Sequence, residues 1–93
     1  MRWPWAKDRV GELLAALDEL AAILAEGGDE HWREWMRASA AEIRAGDAHG
    51  LDRLLGAFGG AGSLNDIGWG GARMDRLRTR IFELATELRR ELR

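Results

Sequence analysis

The sequence predicts an all-α fold, a four-helix up-and-down bundle or a close relative of one. In four segments the apolar residues recur at three- and four-residue steps, and no segment shows the alternating pattern of a strand. Short turns that contain Gly and Asp separate the segments, which favours antiparallel packing of neighbouring helices. The chain has 93 residues, the size of one compact domain. We therefore expect residues 1–93 to form a single helical domain.

The first helix is predicted to run from Pro4 or Asp8 to Glu26. Proline suits a first helical turn, and the Gly27-Gly28 pair allows the positive φ that closes a helix. The apolar stripe of this helix consists of Val10, Leu13, Leu14, Leu17, Leu20, Ala21 and Leu24.

The next two helices are predicted over 29–45 and from Asp47 to Phe58. Asp29 lies favourably at the start of the second helix, and Asp47 is the predicted cap of the third. One side of the second helix carries Trp32, Trp35, Met36, Ser39, Ala40 and Ile43. The third helix has the pattern Leu51, Leu54, Leu55 and Phe58.

The fourth helix is predicted from about Ala72 to the end of the chain and has the strongest periodicity. Its stripe consists of Met74, Leu77, Ile81, Leu84, Leu88 and Leu92. This near-heptad stripe is long enough for a dimer seam, and a bundle core explains it equally well. A homodimer is therefore an open alternative.

A glycine-rich loop, residues 59–71, joins the third and fourth helices and holds six of the twelve glycines. A flexible linker would be small and polar throughout, whereas this segment includes Leu64, Ile67 and Trp69, which favour burial. We expect an ordered loop that packs on the bundle.

The segment Ala57-Phe58-Gly59-Gly60-Ala61-Gly62-Ser63-Leu64-Asn65-Asp66 resembles a signature of a family of small uncharacterised bacterial helical proteins. The likeness extends upstream to the neighbourhoods of Glu30-His31-Trp32 and Ala45-Gly46-Asp47. The resemblance implies a small helical fold and no particular activity.

Two interpretations of the loop differ in chemistry. Successive glycines could form a nest for a phosphate, but no strand precedes them, no Gly-Lys-Ser/Thr run follows, and Asp66 would repel the anion. The structural interpretation is that Ser63 caps a short turn and pairs reciprocally with Asp66 in a capping box. We favour the second interpretation, and if the loop binds a partner, the candidate residues are Ser63, Asn65, Asp66 and Trp69.

Gly-Asp-x-His occurs twice, at Gly28–His31 and Gly46–His49. Two Asp/His pairs could bind a divalent metal, but neither has the spacing that places two ligands on one helical face. We expect the aspartates to cap helices and predict no metal or cofactor. A rival hypothesis is a small-ligand pocket beneath the loop, in which His49 and Arg73 would join the polar loop residues.

The chain has five tryptophans. Trp32 and Trp35 lie on the predicted inner side of the second helix, so we expect them to be buried. Trp3 and Trp5 flank Pro4 ahead of the first stripe, and Trp69 lies in the loop. These three are the candidate exposed anchors of a protein contact.

Nucleic-acid binding is disfavoured. The fourth helix carries seven arginines, but glutamates are interspersed among them and no aromatic residue alternates with them as a stacking platform would require. The net charge is −2, which gives no global attraction for nucleic acid or anionic lipid. We expect a solvated, ion-paired helix face.

Location and activity are inferred from what the sequence lacks. Cysteine is absent, no apolar stretch is long enough to span a bilayer, and no signal peptide is recognisable, so we expect a cytoplasmic protein with no membrane contact. No spacing pairs a nucleophile with a base, so we expect no enzyme. The leading hypothesis is a small protein-binding module, either toxin-neutralising like an immunity protein or regulatory.

Overall fold

The computed structural model describes residues 3–59 and 62–92, and all regular secondary structure in these residues is helical. The α-helices are α1 (Lys7–Glu26), α2 (Glu30–Arg44), α3 (His49–Leu55) and α4 (Gly71–Glu91). Single 3-10 turns cover Pro4–Ala6, Gly56–Phe58 and Leu64–Asp66. The prediction of an all-helical chain with four helices is confirmed.

The helix ends lie close to the predicted positions. Pro4 begins a separate 3-10 turn, so α1 itself starts at Lys7. The predicted third helix divides, because its α-helical part ends at Leu55 and a 3-10 turn continues to Phe58. Gly28 and Gly46 both have positive φ, at 78° and 81°, and end the turns that follow α1 and α2.

Aspartate side chains organise the starts of α2 and α3. Asp29 is the N-cap of α2, and its Oδ1 accepts a hydrogen bond of 3.1 Å from the backbone N–H of Trp32. The N-cap of α3 is Ala48 and not Asp47 as predicted, but Asp47 Oδ1 accepts a 2.9 Å hydrogen bond from the N–H of His49, the first residue of α3. Both aspartates satisfy backbone donors that a helix start leaves free.

The four helices share one hydrophobic core. Helix α1 packs against α2 and α4, and α3 packs against the same two helices. The α4 stripe faces this core, since Met74, Ile81, Leu84 and Leu88 are fully buried. Within the described residues, this stripe packs in the core, so of the two explanations the bundle core accounts for it, and a homodimer stays a prediction.

Ion pairs join each pair of neighbouring helices. Arg9 of α1 binds Glu91 of α4, Glu12 binds Arg80, and Glu19 binds Arg73, so the partner number falls as the α1 number rises and the two helices are antiparallel. Further pairs link α1 to α2, α2 to α3 and α3 to α4, through Asp18–Arg44, Glu42–Arg53 and Asp52–Arg89.

Candidate functional site

The described part of the glycine-rich loop, residues 62–70, is attached to the core by apolar side chains. Leu64 is fully buried, Ile67 is half-buried and packs against the core, and Ser63 is 7% exposed. The backbone forms a 3-10 turn that is closed by a 3.0 Å hydrogen bond from the Asp66 N–H to the Ser63 carbonyl.

Arg78 of α4 binds the backbone of this turn. Its Nη1 donates to the carbonyls of Leu64 at 2.9 Å and Ile67 at 3.1 Å, while its Nη2 binds Asp75. The Arg78 side chain is only 12% exposed. One guanidinium thus satisfies two loop carbonyls on either side of the turn, which connects the loop rigidly to α4.

The predicted capping box is wrong. Ser63 precedes the turn in extended conformation, but its side chain makes no capping hydrogen bond. The Asp66 carboxylate instead accepts a hydrogen bond from the Gly62 N–H. The backbone bond between Asp66 and Ser63 already closes the turn, so the buried serine acts as a packed small residue.

Asn65 and Trp69 lie on the outer side of the loop. Asn65 is exposed, with a long 3.4 Å hydrogen bond from Nδ2 to the Phe58 carbonyl. Trp69 is 40% exposed, and its ring packs over Gly27 at the end of α1. A Cβ atom at position 27 would lie 2.1 Å from the indole, so only glycine allows this contact.

The three tryptophans that were candidate anchors differ in exposure. Trp3 is 3% exposed and donates a 2.6 Å hydrogen bond from Nε1 to the Ile43 carbonyl, so the prediction that it is an exposed anchor is wrong. It serves the core because the 3-10 turn folds the chain start onto the end of α2. Trp5 is 46% exposed, with its ring edge-on to Trp3.

Trp32 and Trp35 are half-buried, where full burial was expected. The two rings pack edge to face at 5.5 Å, and Trp35 Nε1 donates 2.7 Å to the Arg53 carbonyl on α3. Both rings pack against the hydrophobic core.

His49 and Arg73 are not brought together in a pocket. His49 Nδ1 lies 3.1 Å from Glu42 of α2, whereas Arg73 Nε binds Glu19 of α1 at 2.8 Å. The groove beside Asn65 is lined by Phe58, Phe82 and polar residues of α4, and neither His49 nor Arg73 contributes to it. The arrangement removes the geometric basis for the predicted pocket.

Neighbouring arginines account for the electrostatics at these helix contacts. Arg53 and, more weakly, His49 lower the pKa of Glu42, and Arg80 lowers that of Glu12.

In the part of the chain that is described, no group of three or more His, Asp or Glu side chains is placed to hold a metal ion. No helix there is long and apolar enough to cross a membrane.

The arginines of α4 are mostly engaged with other elements of the fold. Arg73 and Arg80 bind α1, Arg78 binds the loop, and Arg89 binds α3. Sequence reasoning anticipated an ion-paired face and missed the special position of Arg78. No sequence signal distinguishes Arg78 from the other arginines of α4, because the groups that accept its hydrogen bonds are backbone carbonyls.

Comparison with known proteins identifies one family. The model of a domain of unknown function, DUF6966, matches residues 25–74, which include α2, α3, the glycine-rich loop and the first residues of α4. No curated protein and no solved structure matches the chain significantly. Since the match extends over more than half of the sequence, the chain belongs to the DUF6966 family.

Proposed function

We propose that this protein is a small protein-binding module that contacts its partner through the loop face, defined as Asn65, Asp66 and Trp69. The observation that carries the proposal is the double hydrogen bond from Arg78 to the loop. It fixes the loop backbone from the inside while these three side chains are exposed on the outside.

A fixed loop is suited to recognition for a physical reason. Binding by a flexible segment carries the entropic cost of ordering it, and a preorganised segment has lost that freedom already on folding. Here buried Leu64 and the Arg78 hydrogen bonds provide the preorganisation. Binding residues are disproportionately found on loops that a rigid scaffold positions.

The loop face also has the chemistry of an interface. Tryptophan is enriched among the residues that dominate binding energy, and Trp69 offers a large apolar ring with an indole donor. Asn65 and Asp66 add polar groups that can set orientation. The ring of Trp69 packs over Gly27 and remains 40% exposed to solvent.

The wider proposal concerns cellular role and architecture. The partner is a larger bacterial protein that this cytoplasmic module neutralises or regulates, as an immunity protein does with its toxin. The fold is a single domain, a four-helix up-and-down bundle or a close relative, with the glycine-rich loop ordered on it. Antiparallel α1 and α4 and the packing of each helix on two others support this arrangement.

Affinity capture from an extract of the native cell tests the proposal. Wild-type protein and the Asn65→Ala and Trp69→Ala variants serve as baits, with Trp5→Ala as the matched control because Trp5 has a similar exposed fraction. We expect Trp69→Ala to lose the captured protein and Asn65→Ala to reduce it, at equal amounts of folded bait. Equal capture by all four baits would contradict the proposal.

A further inference from the structure

The outward side of α4 carries an exposed aromatic residue near its middle. Phe82 is 45% exposed, and its ring packs edge-on against half-buried Phe58 at 5.4 Å between centroids. Shallow grooves lie on both sides of Phe82, one towards Asn65 and one towards Arg90. The two rings form an apolar patch that is partly exposed to solvent, a feature typical of contact surfaces.

Phe82 is the centre of a stripe along the outer side of α4, next to its buried face. We call this stripe the α4 seam; its members follow at three- and four-residue steps and are Asp75, Thr79, Phe82, Thr86 and Arg90. The polar members are placed almost symmetrically about Phe82. Thr79 mirrors Thr86, and Asp75 mirrors Arg90.

The charges beside the seam show the same symmetry with opposite sign. Along one edge of the helix, Arg76 and Arg80 precede Phe82 by six and two residues, and Glu87 and Glu83 follow it by five and one. An antiparallel copy of α4 would set Arg76 against Glu87, whereas Arg80 is already bound to Glu12 and Glu83 of its own chain. A parallel copy would set like charges against each other.

Several charged groups beside the seam have no ion-pair partner among the described residues. Arg76, Glu87 and Arg90 make no ion pair with another described residue.

We propose that the α4 seam binds the α4 seam of a second copy of this chain in an antiparallel, twofold-symmetric dimer. The two Phe82 side chains meet at the axis, and Asp75 of each copy lies opposite Arg90 of the other. Helix α4 is about 30 Å long at ~1.5 Å per residue, so the contact is smaller than a standard interface and the dimer depends on protein concentration.

Charge reversal tests the dimer by sedimentation equilibrium over a range of concentrations. Every reversal acts twice in a symmetric dimer, so we expect Arg76→Glu or Glu87→Arg alone to raise the dissociation constant about tenfold. The double variant recreates both pairs with swapped signs and restores the wild-type constant. Phe82→Glu places two like charges at the axis and yields only monomer.

Two controls separate this surface from others. Arg37→Glu changes an exposed arginine of α2 that makes no ion pair with a described residue, and Trp69→Ala changes the loop face; both should dimerise as wild type does. A monomeric wild type at the highest soluble concentration would overturn the proposal. So would a dimer that Phe82→Glu leaves intact, or single-reversal losses that the double variant does not restore. None of these outcomes bears on the loop face, whose variants leave α4 unchanged.

Discussion

Arg78 differs from the other arginines of α4 in what it binds. Its neighbours pair with carboxylates at the surface, where exposed ion pairs contribute little to stability. Arg78 is largely buried and donates to two loop carbonyls; that of Leu64 also accepts a long 3.4 Å hydrogen bond from the Ile67 N–H. Hydrogen bonds from charged groups are the stronger class, and loss of one leaves buried acceptors unsatisfied.

Replacing Arg78 should therefore destabilise the protein and loosen the loop. We expect Arg78→Ala to lower the free energy of unfolding by about 2–4 kcal/mol, measured by urea denaturation. Arg78→Lys should recover part of the loss, because an ammonium can still donate to a loop carbonyl but has no second nitrogen to bind Asp75 at the same time.

The matched control for Arg78 is Arg37→Ala on α2. Arg37 is exposed and makes no ion pair with a described residue, so its loss should change the free energy of unfolding by less than about 0.5 kcal/mol. An Arg78→Ala variant as stable as this control would show that the two carbonyl bonds do not hold the loop.

At the residue scale, sequence reasoning identified side-chain chemistry better than side-chain position. Asp29 caps its helix as its residue type suggests, because capping depends on local geometry. Trp3 and Trp5 are indistinguishable by sequence, since a 3-10 turn decides which ring meets Ile43 and which faces solvent. The capping box fails at Ser63, which is buried and makes no capping hydrogen bond with its side chain.

At the scale of elements, the helices follow from the sequence because their signals are local. Apolar spacing defined α1 and α4, and glycines with positive φ marked the ends of α1 and α2. Which helices contact each other does not follow from local signals. The antiparallel α1–α4 contact joins the two ends of the chain, and its ion pairs become visible only in the fold.

The α1–α4 ion pairs predict how stability depends on pH. Arg9 and Arg80 lower the pKa of Glu91 and Glu12 in the folded chain, whereas the unfolded chain titrates near the ordinary value of about 4.3. The unfolded state therefore binds more protons, so the contribution is complete above about pH 5 and is lost as pH falls through the lower folded values.

A double variant isolates this contribution. We expect Glu12→Gln/Glu91→Gln to be less stable than wild type at neutral pH and the difference to shrink in acid and in high salt, as thermal unfolding would record. Glu26→Gln, at an exposed position that makes no ion pair with a described residue, is the control and should show no such trend. A difference that is constant from neutral pH into acid would contradict the ion-pair account.

At the scale of the whole molecule, two surfaces of different character are separated by the fold. The loop face is braced by Arg78 and presents Trp69, while the α4 seam is centred on Phe82. The sequence indicated the loop as the distinctive segment because it combines glycines with large apolar residues. The sequence did not indicate the α4 seam, because the strong apolar periodicity of α4 belongs to its buried face.

Hydrogen exchange on the complex with the captured partner tests the central claim most directly. If the loop face binds the partner, amide exchange over residues 62–70 should slow on binding, while α1 and the middle of α4 stay unchanged. The Trp69→Ala variant should show no slowing under the same conditions. Slower exchange confined to other segments, with residues 62–70 unaffected, would contradict the account.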